Sequence, residues 1–293
     1  MEQRPLIDVI APSSMPENRD WRKGIKILQS WGFKVRFNSS MLSPHLFHSN
    51  TDKKRSFFLQ KAFSSKDSSI VWMLRGGYGF QKILDSYIKK SSKNFKRKLF
   101  IGYSDGTALH SYLNNKNQKT LHAPTVSELI NLSQKELNLL KEILLGNIDK
   151  IMFKNLKVFN PSKKTLKARI MGGNLSLLSS SIGTSWQSSF KKGFLFLEDV
   201  NEEAYKVDRM LYHLFYSGAL KSIQAILFGG FNPIRSLDFL KVLKSFSKAC
   251  SIPLVFNLPC GHKRKQPLPF NTSAQLFLRG SKADLEVKTF NKK

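Results

Sequence analysis

The stretch Gly102-Tyr103-Ser104-Asp105-Gly106 holds a serine between two glycines, after a short apolar run and before a plausible helix. This G-x-S-x-G spacing is typical of a nucleophile elbow, a sharp turn that exposes a serine hydroxyl. The start of the following helix would supply free N–H groups and a positive dipole end for a developing oxyanion. The alternative is that Ser104 or Asp105 only caps the helix.

A nucleophilic serine needs a general base, because its hydroxyl scarcely ionises at neutral pH. Among the 6 histidines, His262 has the most suitable context. It follows the strand-like run IPLVFNLP, and Gly261 beside it permits unusual backbone angles. His122, in the segment LHAPT, is a second candidate that could line a cleft. A solvated loop histidine is the alternative for His262, whereas the apolar periodicity around His213 favours a structural role.

The run GFLFLEDV brings two carboxylates, Glu198 and Asp199, to the end of an apolar strand. A carboxylate at that point is placed to hold an imidazole in the tautomer that a general base needs. The alternative is that these acids favour the start of the next helix, together with Glu202 and Glu203.

Cysteine usage restricts other kinds of chemistry. The two cysteines, Cys250 and Cys260, give neither a disulfide framework nor metal-ligand spacing. Cys260 lies near His262 in sequence and is therefore an alternative nucleophile, although cysteine more often packs as a small buried apolar group. We expect neither a metal nor a cofactor.

The chain carries a large positive charge, with 48 Lys and Arg against 20 Asp and Glu, a net charge of +28. Such a surplus is compatible with a polyanionic partner such as nucleic acid. Basic residues are spread almost everywhere in the sequence, however, with one denser run at 89–98. Zinc-finger spacing and an aromatic–basic RNA-binding pattern are both missing from the sequence. A solvated basic surface is therefore favoured, and nucleic-acid binding is not expected.

Short apolar runs alternate with helical patterns in the first half of the chain, with predicted strands at 6–12, 32–37, 69–74 and 98–103. This alternation predicts an α/β fold with a mostly parallel sheet covered by helices. The loops APSS, RGGYG and GYSDG then fall at the carboxyl ends of strands, where such sheets bind ligands. Because we find no membrane-length apolar run and no usable signal peptide, we expect a cytoplasmic location.

Two α/β domains are predicted. Residues 1–125 form an N-terminal domain with the candidate nucleophile, and residues 126–165 form a helical segment and a charged linker. Residues 166–293 form a C-terminal domain with the candidate carboxylate and base. Its predicted strands have the sequences KARIMGG, GFLFLEDV and AILFGGF.

The motifs RGGYG, GYSDGTALH, HAP, GGNLSLL, LFLEDVNEEAYKVDRML and PCGH occur in this order across nearly the whole chain. Together they resemble the LD-carboxypeptidase family of serine peptidases, which includes the muramoyltetrapeptide carboxypeptidases and the microcin-C immunity peptidases. The resemblance implies a flavodoxin-like N-terminal domain, a second α/β domain and an active site between them, usually in a homodimer. It also implies release of a terminal D-Ala from murein tetrapeptides during the recycling of cell-wall peptides.

The resemblance assigns three catalytic residues in this chain. Ser104 is the expected nucleophile, Glu198 the orienting carboxylate and His262 the general base. The expected oxyanion donors are the backbone N–H groups of Asp105 and Gly77. No metal or cofactor is implied.

The RGGYG loop supplies the predicted substrate-binding residues Arg75, Gly76 and Tyr78. A carboxypeptidase must bind the free carboxylate of the residue that it removes, and the guanidinium of Arg75 suits a two-pronged contact with that group. The alternative is that Arg75 pairs with a structural acid.

The chain departs from the family pattern after His262, where we expect relatives to have a less basic stretch than KRKQPLPF. The departure concerns substrate preference near the base. HAP also stands where relatives often have HGP. Three other functions remain open: an immunity-type peptidase that cuts a peptidyl-nucleotide, a serine esterase of broad type, and a non-enzymatic polyanion-binding protein.

Overall fold

A computed structural model describes residues 5–18, 20–90 and 97–290. Strands and helices alternate in it, as the sequence predicts. The strands are β1 (Leu6–Ile10), β2 (Lys34–Arg36), β3 (Ile70–Met73), β4 (Leu99–Gly102), β5 (Thr120–His122), β6 (Lys150–Asn174), β7 (Phe194–Val200), β8 (Ala225–Asn232), β9 (Leu254–Phe256), β10 (Leu268–Phe270) and β11 (Ser273–Lys288). The helices are α1 (Trp21–Ser30), α2 (Asp52–Ser64), α3 (Phe80–Lys90), α4 (Thr107–Asn115), α5 (Gln134–Leu145), α6 (Leu175–Ser180), α7 (Ala204–Tyr216) and α8 (Ser236–Ala249).

The first sheet has the strand order β10-β5-β4-β3-β1-β2. Its five N-terminal strands are parallel, and β10 is antiparallel to β5. The strands β3 and β5 are wholly buried, as expected for a parallel sheet with helices on both faces. The predicted parallel α/β architecture is confirmed, and the serine turn and the glycine loop lie at the carboxyl ends of β4 and β3.

The second sheet has the order β11-β6-β7-β8-β9. The end of β6 runs parallel to β7, and β7, β8 and β9 are mutually parallel. The long β11 covers the other edge of β6 in antiparallel pairing. This sheet carries Glu198 near the carboxyl end of β7, within the predicted strand GFLFLEDV.

The predicted linker is wrong for residues 150–165, because these residues belong to the 25-residue strand β6. Ile151, Phe153 and Val158 are buried while their neighbours Met152 and Lys154 are exposed. This period of two is the pattern of a strand with one covered face. The lysines on the exposed face gave the segment its linker-like composition. Of the helical stretch predicted from 126, residues Val126–Asn131 form a 3-10 turn and α5 follows.

A second difference concerns β10, which the sequence analysis assigned to the C-terminal domain. It pairs with β5 in the first sheet, with Leu268 opposite His122. The chain after β9 therefore crosses from the second sheet to the first, and the loop that crosses contains His262. The exact limits of the two domains remain a prediction.

One apolar core joins the two sheets. It contains Leu121 and Phe270 from the first sheet and Phe196 and Leu227 from the second. The rings of Phe196 and Phe270 lie 6.0 Å apart. Side chains from both sheets are thus held against each other at the place where the candidate site residues meet. Among the helices of the described residues, none has the length and apolar character that a membrane span requires.

Candidate active site

Ser104 lies in a sharp turn between β4 and α4. Its φ angle is +56°, a left-handed conformation that a non-glycine residue adopts at a cost of about 1 to 3 kcal/mol. Tyr103 before it is extended, and residues Ser104–Gly106 form a 3-10 turn that leads into the helix. The capping alternative is not observed, because Gly106 is the N-cap of α4 and no side chain caps it. Strained backbone at a candidate nucleophile is the geometry of an elbow.

The first two glycines of RGGYG, Gly76 and Gly77, allow close backbone packing around Ser104 and Ser14. A Cβ atom on Gly76 would lie 3.0 Å from Ser104 Cβ and 3.2 Å from its Oγ. Gly77 has φ of +103°, and a Cβ there would lie 2.6 Å from Ser14 Cβ. Two hydrogen bonds to Ser14 fix the loop. Ser14 N–H donates to the Gly76 carbonyl at 3.2 Å, and Ser14 Oγ accepts from Tyr78 N–H at 3.1 Å. Glycine is required here for close approach.

Asp105 ties the serine turn to the same loop. Its buried carboxylate accepts a hydrogen bond from Phe80 N–H at 2.8 Å. Burial raises the pKa of Asp105 to about 6, against hydrogen bonds that lower it. The Asp105 side chain therefore fixes the spacing between the turn and the glycine loop. The roles of the Asp105 and Gly77 N–H groups as oxyanion donors stay a prediction.

Glu198 and His262 are in direct contact. His262 Nδ1 lies 2.6 Å from Glu198 Oε2, and the His262 backbone N–H donates to the same oxygen at 3.2 Å. Gly261, with φ of +100°, makes this possible, because a Cβ there would lie 2.8 Å from that carboxylate oxygen. Nδ1 of His262 is thus engaged by a carboxylate, and this arrangement leaves Nε2 as the nitrogen available to accept a proton.

The electrostatics of this pair favour the ion-paired state. Burial by itself would raise the pKa of Glu198, which is 0% exposed, but the charge of His262 and the contacts with His122 and His262 lower it to about 2. Burial lowers the pKa of His262, but the charge of Glu198 and its hydrogen bond outweigh that effect, so the net shift is upward. The carboxylate therefore stabilises a proton on His262.

His122 is a second imidazole on the same carboxylate. It is buried on β5, and its Nε2 lies 3.8 Å from Glu198 Oε1, which is beyond hydrogen-bonding distance. Its ring lies 5.7 Å from that of Tyr103 and 5.1 Å from that of Phe196. From the sequence, His122 is a second candidate that could line the cleft, and its place beside Glu198 is not predicted. The sequence feature that could have placed His122 in the site is the short strand that ends at this histidine. That strand pairs with β4, and His122 lies opposite Gly102.

His262 lies beside the turn that holds Ser104, but no hydrogen bond between the two side chains is found among the described residues. The ring of His262 lies 4.5 Å from the ring of Tyr103, the residue before Ser104. Among the contacts of the described residues, Ser104 Oγ has no hydrogen bond to the imidazole. Such bonds are often long in ligand-free enzymes and tighten when a substrate is bound. The structure thus brings Glu198 and His262 into contact and leaves His262 beside the serine turn.

Arg75 is engaged by the protein itself. Its guanidinium donates to the Met15 carbonyl and pairs with Glu17, and the Glu17 side chain is 82% exposed. The pairing with an acid that the sequence analysis left as the alternative is therefore the one observed. Tyr78 on the same loop is 45% exposed. Substrate binding by Arg75, Gly76 and Tyr78 stays a prediction.

Cys260 does not have the environment of a nucleophilic thiol. It is fully buried, and burial raises its pKa well above the ordinary value. In the described part of the chain, His, Cys, Asp and Glu form no group of three or more that could hold a metal ion. Of the basic run at 89–98, residues 91–96 lie outside the described residues.

Asp199 has a different role from the one weighed in sequence. Its carboxylate accepts from Asn174 Nδ2 at 2.7 Å and from Ser176 N–H at 2.8 Å. It therefore supports the start of α6, and the interpretation of Asp199 as an acid at the start of the next helix is wrong. Burial raises the pKa of Asp199 to about 6. His213 is exposed on α7, with Nδ1 at 2.8 Å from Ser179 Oγ, and its structural role stays a prediction.

Comparisons with known proteins agree with the fold and the motifs. The model of the LD-carboxypeptidase N-terminal domain matches residues 7–123, and that of the C-terminal domain matches residues 167–276. A putative carboxypeptidase of Rickettsia conorii is 34% identical over 278 residues, which cover 92% of this chain and 87% of its own length. The murein tetrapeptide carboxypeptidase of Pseudomonas aeruginosa is 26% identical, with 92% of each chain covered.

A solved structure is similar over the whole chain. The muramoyltetrapeptide carboxypeptidase of Oxalobacter formigenes superposes with a TM-score of 0.84 and 29% identity, covering 98% of this chain and 100% of its own. The strained serine turn, the glycine loop and the Glu198–His262 pair lie within the matched ranges. The chain belongs to the LD-carboxypeptidase family, and it is a serine-type peptidase.

Proposed function

We propose that this enzyme releases the terminal D-Ala from murein tetrapeptides by cutting the bond after the L-centre of a diamino acid. The observation that carries the proposal is the contact between His262 Nδ1 and Glu198 Oε2, which lie 2.6 Å apart. The ring of this histidine packs 4.5 Å from the ring of Tyr103, the residue before the strained Ser104. The similarity to carboxypeptidases named for murein tetrapeptides supports the substrate class. The products would enter the cytoplasmic recycling of cell-wall peptides.

The proposed mechanism proceeds through an acyl-enzyme. Ser104 Oγ attacks the scissile carbonyl while His262 Nε2 takes the hydroxyl proton, and the protonated imidazole then gives that proton to the leaving D-Ala amine. Water activated by His262 hydrolyses the ester and regenerates Ser104. Glu198 stabilises the imidazolium in both steps, as its low pKa supports.

The proposed oxyanion hole consists of the Asp105 and Gly77 N–H groups. Removal of one such donor costs about 3 to 4 kcal/mol in a comparable hydrolytic site. The hydrogen bond from Phe80 N–H to the Asp105 carboxylate supports this assignment, because it keeps the two loops at a fixed spacing before substrate arrives. Preorganised donors cost no rearrangement during the reaction.

Arg75 is proposed to bind the terminal carboxylate of the substrate. The bond to the exposed Glu17 would be exchanged for a bond to the substrate, and surface ion pairs of this kind are worth at most about 1 kcal/mol. Gly76 permits the close approach of the peptide, and the exposed Tyr78 would contact it.

The test is incubation of the pure protein with a murein tetrapeptide and detection of free D-Ala by mass spectrometry. We expect release by the wild type and none by Ser104→Ala. Ser30→Ala, a change of an exposed serine on α1, is the matched control and should keep full activity. Failure of the wild type to release D-Ala from any tetrapeptide would refute the proposed substrate.

A second candidate is cleavage of a peptidyl-nucleotide by the same groups. The half-exposed Tyr78 favours it, since an aromatic ring on the loop that contacts Ser104 through Gly76 can stack on a base. The ring of His48 lies 5.5 Å from that of Tyr78. Hydrolysis of an aminoacyl sulfamoyl-nucleotide analogue at a higher kcat/KM than a tetrapeptide would favour this candidate. If Tyr78→Ala loses the higher kcat/KM for the nucleotide analogue, stacking of Tyr78 on the base accounts for the preference.

The homodimer and the cytoplasmic location belong to the same proposal. Light scattering should give a mass of twice 33.5 kDa, and cell fractionation should recover the activity with cytoplasmic markers. The basic surface is proposed to attract carboxylate-rich peptides. If kcat/KM does not change with ionic strength, this electrostatic attraction plays no part.

A further inference from the structure

A partly buried chain of contacts lies beside His262 and is not used by the proposed mechanism. Lys265 Nζ lies 2.7 Å from Glu128 Oε1, and the Tyr103 hydroxyl donates to the same oxygen. The other oxygen, Oε2, accepts from Thr125 Oγ1 at 2.8 Å and from Thr125 N–H at 3.2 Å. The Glu128 carboxylate is therefore held by four donors, which fixes its position.

These residues come from three separate parts of the fold. Tyr103 follows β4, Glu128 lies in the 3-10 turn after β5, and Lys265 lies in the loop between β9 and β10. That loop crosses from the second sheet to the first and carries His262. Its backbone is closed by a hydrogen bond from Gln266 N–H to the Pro259 carbonyl at 3.1 Å. Lys265 thus links the histidine loop to the part of the chain that carries the serine.

The imidazole of His262 packs against the ring of Tyr103. The two ring centroids lie 4.5 Å apart at an interplanar angle of 44°. Because the Tyr103 hydroxyl donates to Glu128, the phenol ring cannot turn away from the imidazole without breaking a partly buried hydrogen bond. The orientation of His262 is therefore fixed on one side by Glu198 and on the other by Tyr103.

We propose that Lys265, Glu128 and Tyr103 form a positioning unit that holds His262 at the reacting distance from Ser104. Lys265 and Glu128 are positioning residues, since neither contacts the reacting atoms. The inference rests on the proposed function only in taking His262 as the general base. A displacement of about 1 Å at such a base costs up to about a hundredfold in rate.

The unit also acts on the protonation of His262. Glu198 contacts this imidazole directly, the charges of Glu128 and Asp199 act on it from farther away, and Tyr103 is a neutral neighbour. His122 lies on the far oxygen of Glu198, with Nε2 3.8 Å from Oε1. Burial lowers the pKa of His262, and these three carboxylates raise it. Lys265 neutralises part of the Glu128 charge. Removal of Glu128 should therefore lower the pKa of His262, whereas removal of Lys265 should raise it.

The experiment measures the rate at which a fluorophosphonate probe labels Ser104 across the pH range, because this reaction needs a neutral His262 but no peptide. The variants are Lys265→Met, Lys265→Arg and Glu128→Gln, with Lys263→Met as the matched control on the exposed part of the same loop. We expect Lys265→Met and Glu128→Gln to label roughly tenfold more slowly than the wild type at the plateau. Lys265→Arg should recover the rate, and Lys263→Met should keep it.

The pH profiles give a readout that a merely structural role would not move. The acidic limb should shift to lower pH in Glu128→Gln, because a charge that raises the pKa of His262 is removed, and to higher pH in Lys265→Met, because a cation that offsets that charge is removed. Thermal unfolding checks that each variant is folded at the assay temperature. Titration of His262 by NMR should give the same opposite shifts with no reaction at Ser104.

Wild-type plateau rates in both folded variants, or limbs that shift in the same direction, would overturn the positioning unit. Normal labelling by a wild type that releases no D-Ala would refute only the proposed substrate. If the wild type failed to label at all while His262 titrated with the opposite shifts in the two variants, the activation of Ser104 would be refuted and the effect of the unit on His262 would be upheld.

Discussion

The Nδ1 atom of His262 lies 2.6 Å from Oε2 of Glu198, although the two residues are 64 positions apart in the chain. The carboxylate is fully buried and the imidazole is 15% exposed. A buried carboxylate that meets a partly accessible imidazole can hold the ring in one tautomer while its other nitrogen faces a substrate. This contact is the part of the candidate site from which most of the expected behaviour follows.

Replacement of Glu198 by Gln should leave the protein folded and nearly inactive. The neutral amide would no longer stabilise the imidazolium and could favour the wrong tautomer, so kcat should fall by roughly 10³ to 10⁴. The measurement is kcat on a murein tetrapeptide, with Glu142→Gln on α5 as a remote control of the same chemistry. Activity of the Glu198 variant within twofold of the wild type would remove Glu198 from the mechanism.

The acidic limb of the pH profile should lie above the ordinary histidine value of 6.5, because the pKa of His262 is raised. The base must be neutral to accept the proton of Ser104, so kcat/KM should rise with pH through the pKa of His262 and fall on acidification. In Glu198→Gln the residual activity should show its limb at lower pH, since the charge that raises the pKa is gone. A wild-type limb well below 6.5 would contradict this assignment.

Ser104→Gly should be more stable than Ser104→Ala, while both should be inactive. The φ angle of +56° at Ser104 is unfavourable for alanine and freely adopted by glycine. The expected difference in the free energy of unfolding is about 1 kcal/mol in favour of the glycine variant. The measurement is denaturant unfolding of the two variants side by side. An alanine variant of equal or greater stability would show that the turn relaxes without strain.

Arg75→Met should raise KM for a substrate with a free terminal carboxylate by roughly tenfold or more, with a smaller change in kcat. The guanidinium supplies a charge-assisted contact worth about 1.5 to 3 kcal/mol. The same variant should not affect a substrate whose terminal carboxylate is replaced by a carboxamide. Arg22→Met, on the exposed face of α1, is the control. An equal loss on both substrates would assign Arg75 to the structural contacts with Glu17 and Met15.

The sequence was sufficient to predict the α/β architecture, the turn that holds Ser104 and the carboxylate near the end of β7, whereas the catalytic roles of the site residues stay a prediction. The glycines of Gly102–Gly106, between a buried strand and a helix, predicted a turn with an exposed serine. The apolar run before Glu198 predicted a carboxylate at the end of a strand. Both signals are local, because a strand, its end and the next helix are encoded within about fifteen residues, in the range where sequence patterns are most informative.

The missed features all depend on contacts between distant segments. Residues 150–165 have a strand pattern, but their stability as a strand comes from pairing with β11, far later in the chain. The transfer of β10 to the first sheet and the contact of His122 with Glu198 have the same origin. The pair of Arg75 with Glu17 joins two loops whose proximity follows only from the order of the strands. Local propensity carries no information on such pairings.

The central claim is that Ser104 becomes covalently acylated during turnover, and intact-protein mass spectrometry after a rapid acid quench tests it most directly. With a murein tetrapeptide, the wild type should gain the mass of the tripeptide acyl group, mapped by proteolysis to the peptide with Ser104, in step with D-Ala release. Glu198→Gln should show the same adduct at a lower rate, and Ser104→Ala should show none. Release of D-Ala by Ser104→Ala at the wild-type rate would contradict the account.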